Sequence, residues 1–302
     1  MINRIFSFLI LSALLILAGC STSPRSSQSR TIYNNQQAAV YTPPPVAASP
    51  SYGGGVWPMS APEIHAESAI LIDARTGRTL YQKNADQHRQ VASTQKLLTG
   101  LIIAEREPLD EKIMIASSDT RVEPTKLGLR AGDRYARRDL LEAIMVKSCN
   151  DAASALGRDH AGSLAAFSVE MNRTASALGA TNSYFVNPHG LPAAQYSTAR
   201  DMARIAFRAY RNRTLRQMML VENVAFRHNN GKISRLKATN KLLSRSPIYN
   251  GMKTGYTNAA GRCLVTSASS GGRDLILVQL GSKTKYIFDD AEKMIRWGLS
   301  RI

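Results

Sequence analysis

From residue 61 onward the strand-like segments of this chain stand at its two ends and the helical ones lie between, an order that few architectures accommodate. Ser68 to Asp73 and Thr79 to Gln82 read as strands, with Arg75, Thr76, Gly77 and Arg78 forming the hairpin turn. Apolar residues at helical spacing then run from Ser93 through Leu97, Leu98, Leu101 and Ile102. Further helices are expected over Asp139 to Val146, with Asp139 as N-cap, and over Asn150 to Leu156, Leu164 to Leu178 and Thr198 to Tyr210. Strands return at Gly251 to Tyr256, Cys263 to Ala268 and Asp274 to Leu280, before an amphipathic helix over Asp289 to Leu299. This order predicts an α+β fold: one antiparallel sheet drawn from both chain ends and packed with helices, plus an all-helical subdomain from the middle.

Residues 1–60 are of another kind. An apolar run, Ile5 to Ala18, is too short to span a bilayer with ease but fits the core of a secretory signal. It closes on Leu17, Ala18, Gly19 and Cys20, small residues before a Cys that resemble a bacterial lipobox. Residues 1–19 are therefore expected to be a signal peptide and the Cys20 thiol to carry acyl chains, each buried methylene adding about 0.8 kcal/mol of membrane affinity. The alternative is an ordinary signal with a chance Cys. Ser21 after the Cys resembles lipoproteins passed on to an outer membrane. From Ser21 to Ser60 the chain holds six of its twelve prolines and no acidic residue, so residues 20–60 are expected to form a disordered tether. About 40 such residues reach about 35 Å r.m.s..

Charge needs the same division. The 39 Lys and Arg against 22 Asp and Glu give 39 − 22 = +17, which suggests a polyanionic partner. Only Arg4, Arg25 and Arg30 fall in residues 1–60, so 17 − 3 = +14 belongs to residues 61–302. An export signal argues against nucleic acid and toward a cell-wall polymer. Composition, 44% hydrophobic and 20% charged, excludes a wholly disordered chain, and three Cys are too few for a disulfide-built scaffold.

Three short motifs carry chemistry. Ser93 and Lys96 form an S-x-x-K whose members share a helix face, so the amine can take the proton of a weakly nucleophilic hydroxyl. Ser148, Cys149 and Asn150 place a hydroxyl and a carboxamide two apart on a connection between helices. Lys253, Thr254 and Gly255 put a cation and a hydroxyl on a strand, where they suit a substrate carboxylate, and the Gly lets a ligand backbone approach the strand edge. Singly each motif is common by chance. Their order, the first opening a helix and the last on a strand of a hairpin, matches the signature of active-site-serine penicillin-binding proteins and β-lactamases.

Wider stretches narrow the resemblance: Ile72 to Gly77, Asn187 to Leu191, Tyr196 to Met202, and Lys253 to Gly261. Together they resemble the D-alanyl-D-alanine carboxypeptidase family, the low-molecular-mass penicillin-binding proteins of peptidase family S11, over nearly all of residues 62–299. The resemblance implies a serine β-lactamase/DD-peptidase-like fold and a catalytic domain over residues 61–302. It implies that Ser93 attacks the penultimate D-Ala carbonyl of a peptidoglycan stem peptide, releasing terminal D-Ala and leaving an acyl-enzyme for water. Lys96 is then the base, and Ser148 and Asn150 relay a proton and hold the peptide. Lys253 and Thr254 hold the carboxylate beside Gly255, and the backbone N–H groups of Ser93 and Tyr256 form the oxyanion hole. Penicillins would acylate the same serine. Many members carry Gly where this chain has Cys149, and many continue into a β-rich domain with an anchor helix. Here neither is expected, with the Cys20 lipid as the anchor and the cell envelope, on its periplasmic face, as the location.

Alternatives stay open. A D,D-endopeptidase cutting cross-links would use the same residues. A β-lactamase needs a deacylating Glu-bearing loop with no counterpart here, and a non-enzymatic wall-binding lipoprotein would have no use for three ordered motifs. Cys149 and Cys263 are either a disulfide or two buried thiols. His65, His88, His160, His189 and His228 show no metal-ligand spacing, so no metal or other cofactor is expected, and His189 is expected to pack its own loop.

Overall fold

The computed structural model describes residues 60–301. The expected signal peptide, Cys20 and the tether as far as residue 59 lie outside the described residues. In chain order the elements are β1 (Ser68–Asp73), β2 (Thr79–Lys83), α1 (Lys96–Arg106), β3 (Lys112–Met114), β4 (Arg134–Ala136), α2 (Arg137–Val146), α3 (Asn150–Ala161) and α4 (Leu164–Ala177). They continue with α5 (Ala199–Arg211), α6 (Arg213–Met219), β5 (Asn223–Arg227), β6 (Ile233–Lys237), β7 (Tyr249–Thr257), β8 (Gly261–Ser270), β9 (Arg273–Ser282) and α7 (Ile287–Leu299).

The main sheet has the order β2-β1-β9-β8-β7, antiparallel throughout, and the pairing of Ile70 with Val278 joins the N-terminal hairpin to the C-terminal strands. Residues Leu275 to Leu280 of the central β9 are an unbroken buried run because both of their faces are covered. Leu275 and Leu277 pack with Leu71, Leu264 and, from α7, Ile287, Ala291, Met294 and Ile295. Ile276, Val278 and Leu280 join the larger core with α1 and α5. Each such side chain contributes about 1.5–3 kcal/mol on burial. α1 is buried almost all round, with Leu97, Leu98, Leu101, Ile102 and Ile103 closed to solvent, as suits a helix enclosed on every side.

Three expectations change. Asp139 is not the N-cap of α2, which begins two residues earlier with Ala136 as cap. The first amides are already satisfied: Arg137 N donates to Glu111 O (3.0 Å) and Arg138 N to Leu109 O (2.8 Å). Asp139 sits in the first turn, where burial outweighs the helix dipole and pushes its carboxyl above the ordinary value. The middle of the chain is not all-helical either. It carries two two-stranded ribbons, β3–β4 with three residues a strand, too few to display a period of two, and β5–β6 with five. Finally, α6 was not expected, although Asn212 caps it by accepting from Leu215 N at 3.1 Å.

Cys149 and Cys263 are two free, buried thiols, so no disulfide joins them. Burial pushes the first up to about 12 and the second to about 11, leaving both protonated and unreactive at neutral pH.

Candidate active site

The chain reaches Ser93 in an unusual way. A 3₁₀ turn over Ala92–Gln95 precedes α1, so Ser93 lies in that turn and Lys96 is the first α-helical residue. In a 3₁₀ turn, positions three apart eclipse. Lys96 Nζ accordingly lies 2.9 Å from Ser93 Oγ, as a donor to it. The same Nζ donates to Asn150 Oδ1 and to the His189 carbonyl, both at 2.6 Å, while Ser93 Oγ donates to that carbonyl at 3.2 Å. The turn is strained as well: Ala92 has φ +48°, which side-chain-bearing residues rarely adopt.

Two glycines let other segments press against this turn. Gly190 (φ +84°) packs so closely on Ala92 that a methyl group there would collide with the Ala92 carbonyl, and it would stand 2.8 Å from Ser93 N. Gly255 does the same from β7, where an added Cβ would lie 2.8 Å from Ser93 N and 3.1 Å from Thr94 N. Gly255 is therefore part of the site because the backbone of β7 must meet the amides of Ser93 and Thr94.

Lys96 and Lys253 are completely buried. Desolvation, reinforced by the nearby Lys253 charge, holds Lys96 well below the ordinary lysine range. Desolvation brings Lys253 down to about 7. A buried amine of lowered proton affinity, 2.9 Å from a hydroxyl, can accept that hydroxyl's proton once it has given up its own. His189 is pulled down to about 3, first by burial and then by Lys96. Its ring stays neutral and turns into its own loop, with Nδ1 accepting from Leu191 N at 3.3 Å.

The remaining motif residues divide by depth. Ser148, Thr254, Gly255 and Tyr256 line a cavity of about 860 Å³ together with Ser93. Ser148 stands at φ +70°, a second strained non-glycine position facing the cavity. Thr254 Oγ1 donates to Thr239 Oγ1 at 2.6 Å, and Lys253 Nζ to the Thr254 carbonyl at 3.0 Å. The Tyr256 side chain is half exposed, with the Arg262 guanidinium 4.3 Å from its ring centroid, so only its backbone is held at the site.

Asn150 does not face the cavity as expected. Its Oδ1 is on Lys96, and its Nδ2 donates to the Pro124 carbonyl at 2.6 Å. The neighbouring Asp151 accepts from the amides of Leu127 (2.9 Å), Gly128 (2.9 Å) and Leu129 (3.2 Å), fixing the loop that Asn150 grips. Asn150 thus positions Lys96 against the 124–129 loop.

Sequence reasoning missed the His189 carbonyl, which touches both Ser93 and Lys96, because a backbone acceptor leaves no trace in residue identity. It also missed Thr239 and the Pro124–Thr125 wall. These lie on connections with no motif around them.

A family model described as D-alanyl-D-alanine carboxypeptidase matches residues 56–284. A D-alanyl-D-alanine endopeptidase of Pseudomonas aeruginosa is 35% identical over 83% of this chain and 82% of its own length. The D-alanyl-D-alanine carboxypeptidase DacC of Escherichia coli is 34% identical over 80% of this chain and 62% of its own length. Among solved structures, a D-alanyl-D-alanine carboxypeptidase of Mycobacterium tuberculosis aligns with TM-score 0.77 and 30% identity, covering 80% of this chain and 94% of that one.

Proposed function

The chain belongs to the D-alanyl-D-alanine carboxypeptidase family of serine peptidases, and from that premise we propose that it removes the terminal D-Ala from peptidoglycan stem pentapeptides through an acyl-enzyme on Ser93. The observation that carries this reading is the buried Lys96 amine 2.9 Å from a serine hydroxyl at the wall of an 860 Å³ cavity. Neutral Lys96 takes the Ser93 proton as Oγ attacks the penultimate D-Ala carbonyl. The backbone N–H groups of Ser93 and Tyr256 receive the oxyanion, a contribution of about 3–4 kcal/mol per donor. Ser148, which faces the cavity, gives its proton to the leaving amine and takes the one held by Lys96 in return, so that both end as they began. Free D-Ala departs, and water then hydrolyses the ester to regenerate Ser93. Protonated Lys253 and Thr254 hold the terminal carboxylate. A β-lactam ring opens on the same hydroxyl and leaves a covalent adduct.

A second reading shares every step but the leaving group. D,D-endopeptidase action would release the amine of a neighbouring cross-linked peptide in place of D-Ala, and the 35% identical relative bears that name. The test is a paired incubation of purified protein with a pentapeptide muropeptide and a cross-linked dimer, analysed by chromatography. Release of D-Ala from the pentapeptide is the expected result. Dimer cleavage without D-Ala release would replace the first reading by the second. The reading further places the protein at the cell envelope, tethered by acyl chains on Cys20, on the strength of the Ile5 to Ala18 run and the Leu17 to Cys20 motif.

The two lysines set opposite pH limbs. Lys96 must be deprotonated to act, so acylation rises with pH through its lowered pKa. Lys253 must be protonated to hold a carboxylate, so in the empty site that grip weakens above about 7. The second-order rate of labelling by a fluorescent penicillin, followed from pH 5 to 10, is expected to rise and then fall. A rate still climbing at pH 9 would remove Lys253 from carboxylate binding. Stability follows the other sign. Because Lys253 titrates at about 7 when folded and 10.5 when unfolded, the unfolded chain binds more protons between those values, and stability rises with pH across that window.

A further inference from the structure

A second cavity, of about 510 Å³, lies at the opposite end of the main sheet. Leu264, the β8 partner of Thr254, is six residues from Ser270 at the β8–β9 turn, which puts this cavity about 20 Å from the motif residues. Its walls are element ends: Asp73 closing β1 and Arg75 just after it, Arg211 at the end of α5, Arg213 and Arg216 on α6, and Arg273 and Asp274 at the start of β9. Five of the ten lining residues are arginine and none is lysine, giving 5 − 2 = +3 around one space.

These guanidiniums are not spent on the protein's own carboxylates. Elsewhere arginines pair, as Arg137 does with Asp159, Arg158 with Asp119 and Arg200 with Asp86. Among the described residues none of the five stands in an ion pair. Asp73 is already engaged, its Oδ1 accepting from the amides of Arg75 and Thr76 at 2.8 Å each. Residues 1–59 contain no Asp or Glu and so supply no counter-charge from their side chains.

Three of the five are nevertheless held in place. Arg216 lies 4.3 Å from the ring centroid of Tyr210, whose hydroxyl is hydrogen-bonded to Ser269 (3.2 Å) and accepts from Asn250 Nδ2 (3.3 Å). Arg211 stands over the Phe207 ring at 5.3 Å, and Arg273 Nη1 donates to the Leu299 carbonyl at 2.7 Å. A guanidinium stacked on a ring keeps its in-plane N–H edge free for an anion. The net +3 around one space repels until further counter-charge enters. One carboxylate, with two oxygens and one charge, satisfies a single guanidinium fork, whereas a phosphate group offers three oxygens and more charge. Arginine without lysine is the composition that planar, bidentate recognition selects.

We propose that this arginine-lined cavity binds a phosphate-rich anion, a diphosphate or a longer run of phosphates, supplied either free or on lipid headgroups. The test compares the full chain with a variant carrying Arg75→Gln, Arg213→Gln and Arg273→Gln, all three exposed positions. Penicillin labelling of Ser93, at the other end of the sheet, reports that the variant is folded. Calorimetric titration with tripolyphosphate at 0.15 M salt is expected to show binding that the variant weakens by at least about tenfold. Tricarballylate, a tricarboxylate, is expected to bind at least about tenfold more weakly than tripolyphosphate. Co-sedimentation with phosphatidylglycerol vesicles, against phosphatidylcholine alone, separates the sources. Loss in the variant assigns the phosphate to lipid, and equal sedimentation with loss of tripolyphosphate binding assigns it to a soluble anion. Unchanged tripolyphosphate affinity in the variant, or equal affinity for tricarballylate, overturns the proposal. Should the triple variant not label with penicillin, Arg213→Gln alone is titrated in its place, and an unchanged affinity there counts against the site in the same way.

Discussion

Replacing Ser93 with alanine is expected to end covalent capture of a labelled penicillin and to lower D-Ala release by at least about 10⁴-fold, the scale seen when a serine nucleophile is removed from a preorganised site. The fold should tolerate the change. Ser93 is only partly buried, and its hydroxyl bonds only with Lys96 and the His189 carbonyl. Lys96 keeps its two 2.6 Å acceptors, Asn150 Oδ1 and His189 O, when that hydroxyl is gone. The thermal midpoint should therefore stay within what about 1 kcal/mol moves. Gel fluorescence after penicillin treatment, beside a melting curve, separates the two effects. A labelled band from the alanine variant would place the nucleophile elsewhere.

A single methyl group at Gly190 is expected to do comparable damage by a different route. Gly190→Ala puts a side chain at φ +84° and drives it into the Ala92 carbonyl. Neither partner can yield cheaply, because both are backbone and Ala92 is itself strained at φ +48°. Strain of this kind costs at least about 3 kcal/mol when the surroundings cannot relax. At about 2–4 °C per kcal/mol for a domain of this size, that lowers the melting point by about 6–12 °C. Any relief must come from moving the 3₁₀ turn that carries Ser93, so penicillin labelling should slow even at temperatures where the variant is folded. A variant that melts like the wild type and labels at the same rate would show that this loop is free to withdraw from the turn.

Both experiments probe different halves of what was legible. Ser93, Lys96, Ser148, Asn150 and Lys253 to Tyr256 were all singled out by motif and order, and the fold brings them together around one cavity or directly behind it. Reading side chains, however, misplaced Asn150. Its amide was expected to meet substrate, and it is instead occupied by the Pro124 carbonyl and Lys96. The partner of Lys96 that no motif announces, the His189 carbonyl, belongs to the backbone. The fold shows the same pattern. Long elements, the periodic α4 and α5 and the continuous apolar run of β9, were found within a few residues of their bounds, while three-residue β3 and β4 had too few positions to show alternation. The start of α2 was misjudged because the carbonyls that cap it come from Leu109 and Glu111, distant in the sequence.

What the amino-acid sequence determined by itself is the order of the main-sheet strands and the long helices, the α+β class and the residue types available for the chemistry, since periodicity and motif spacing are local properties. What only the tertiary structure decided is the state of those groups. Burial makes Lys96 and Lys253 amines of lowered proton affinity. Two glycines from distant segments close on the Ser93 turn. Five arginines drawn from three stretches of chain meet around one cavity. Desolvation and contact arise only when the chain has closed on itself, and neither is a property that any residue carries alone.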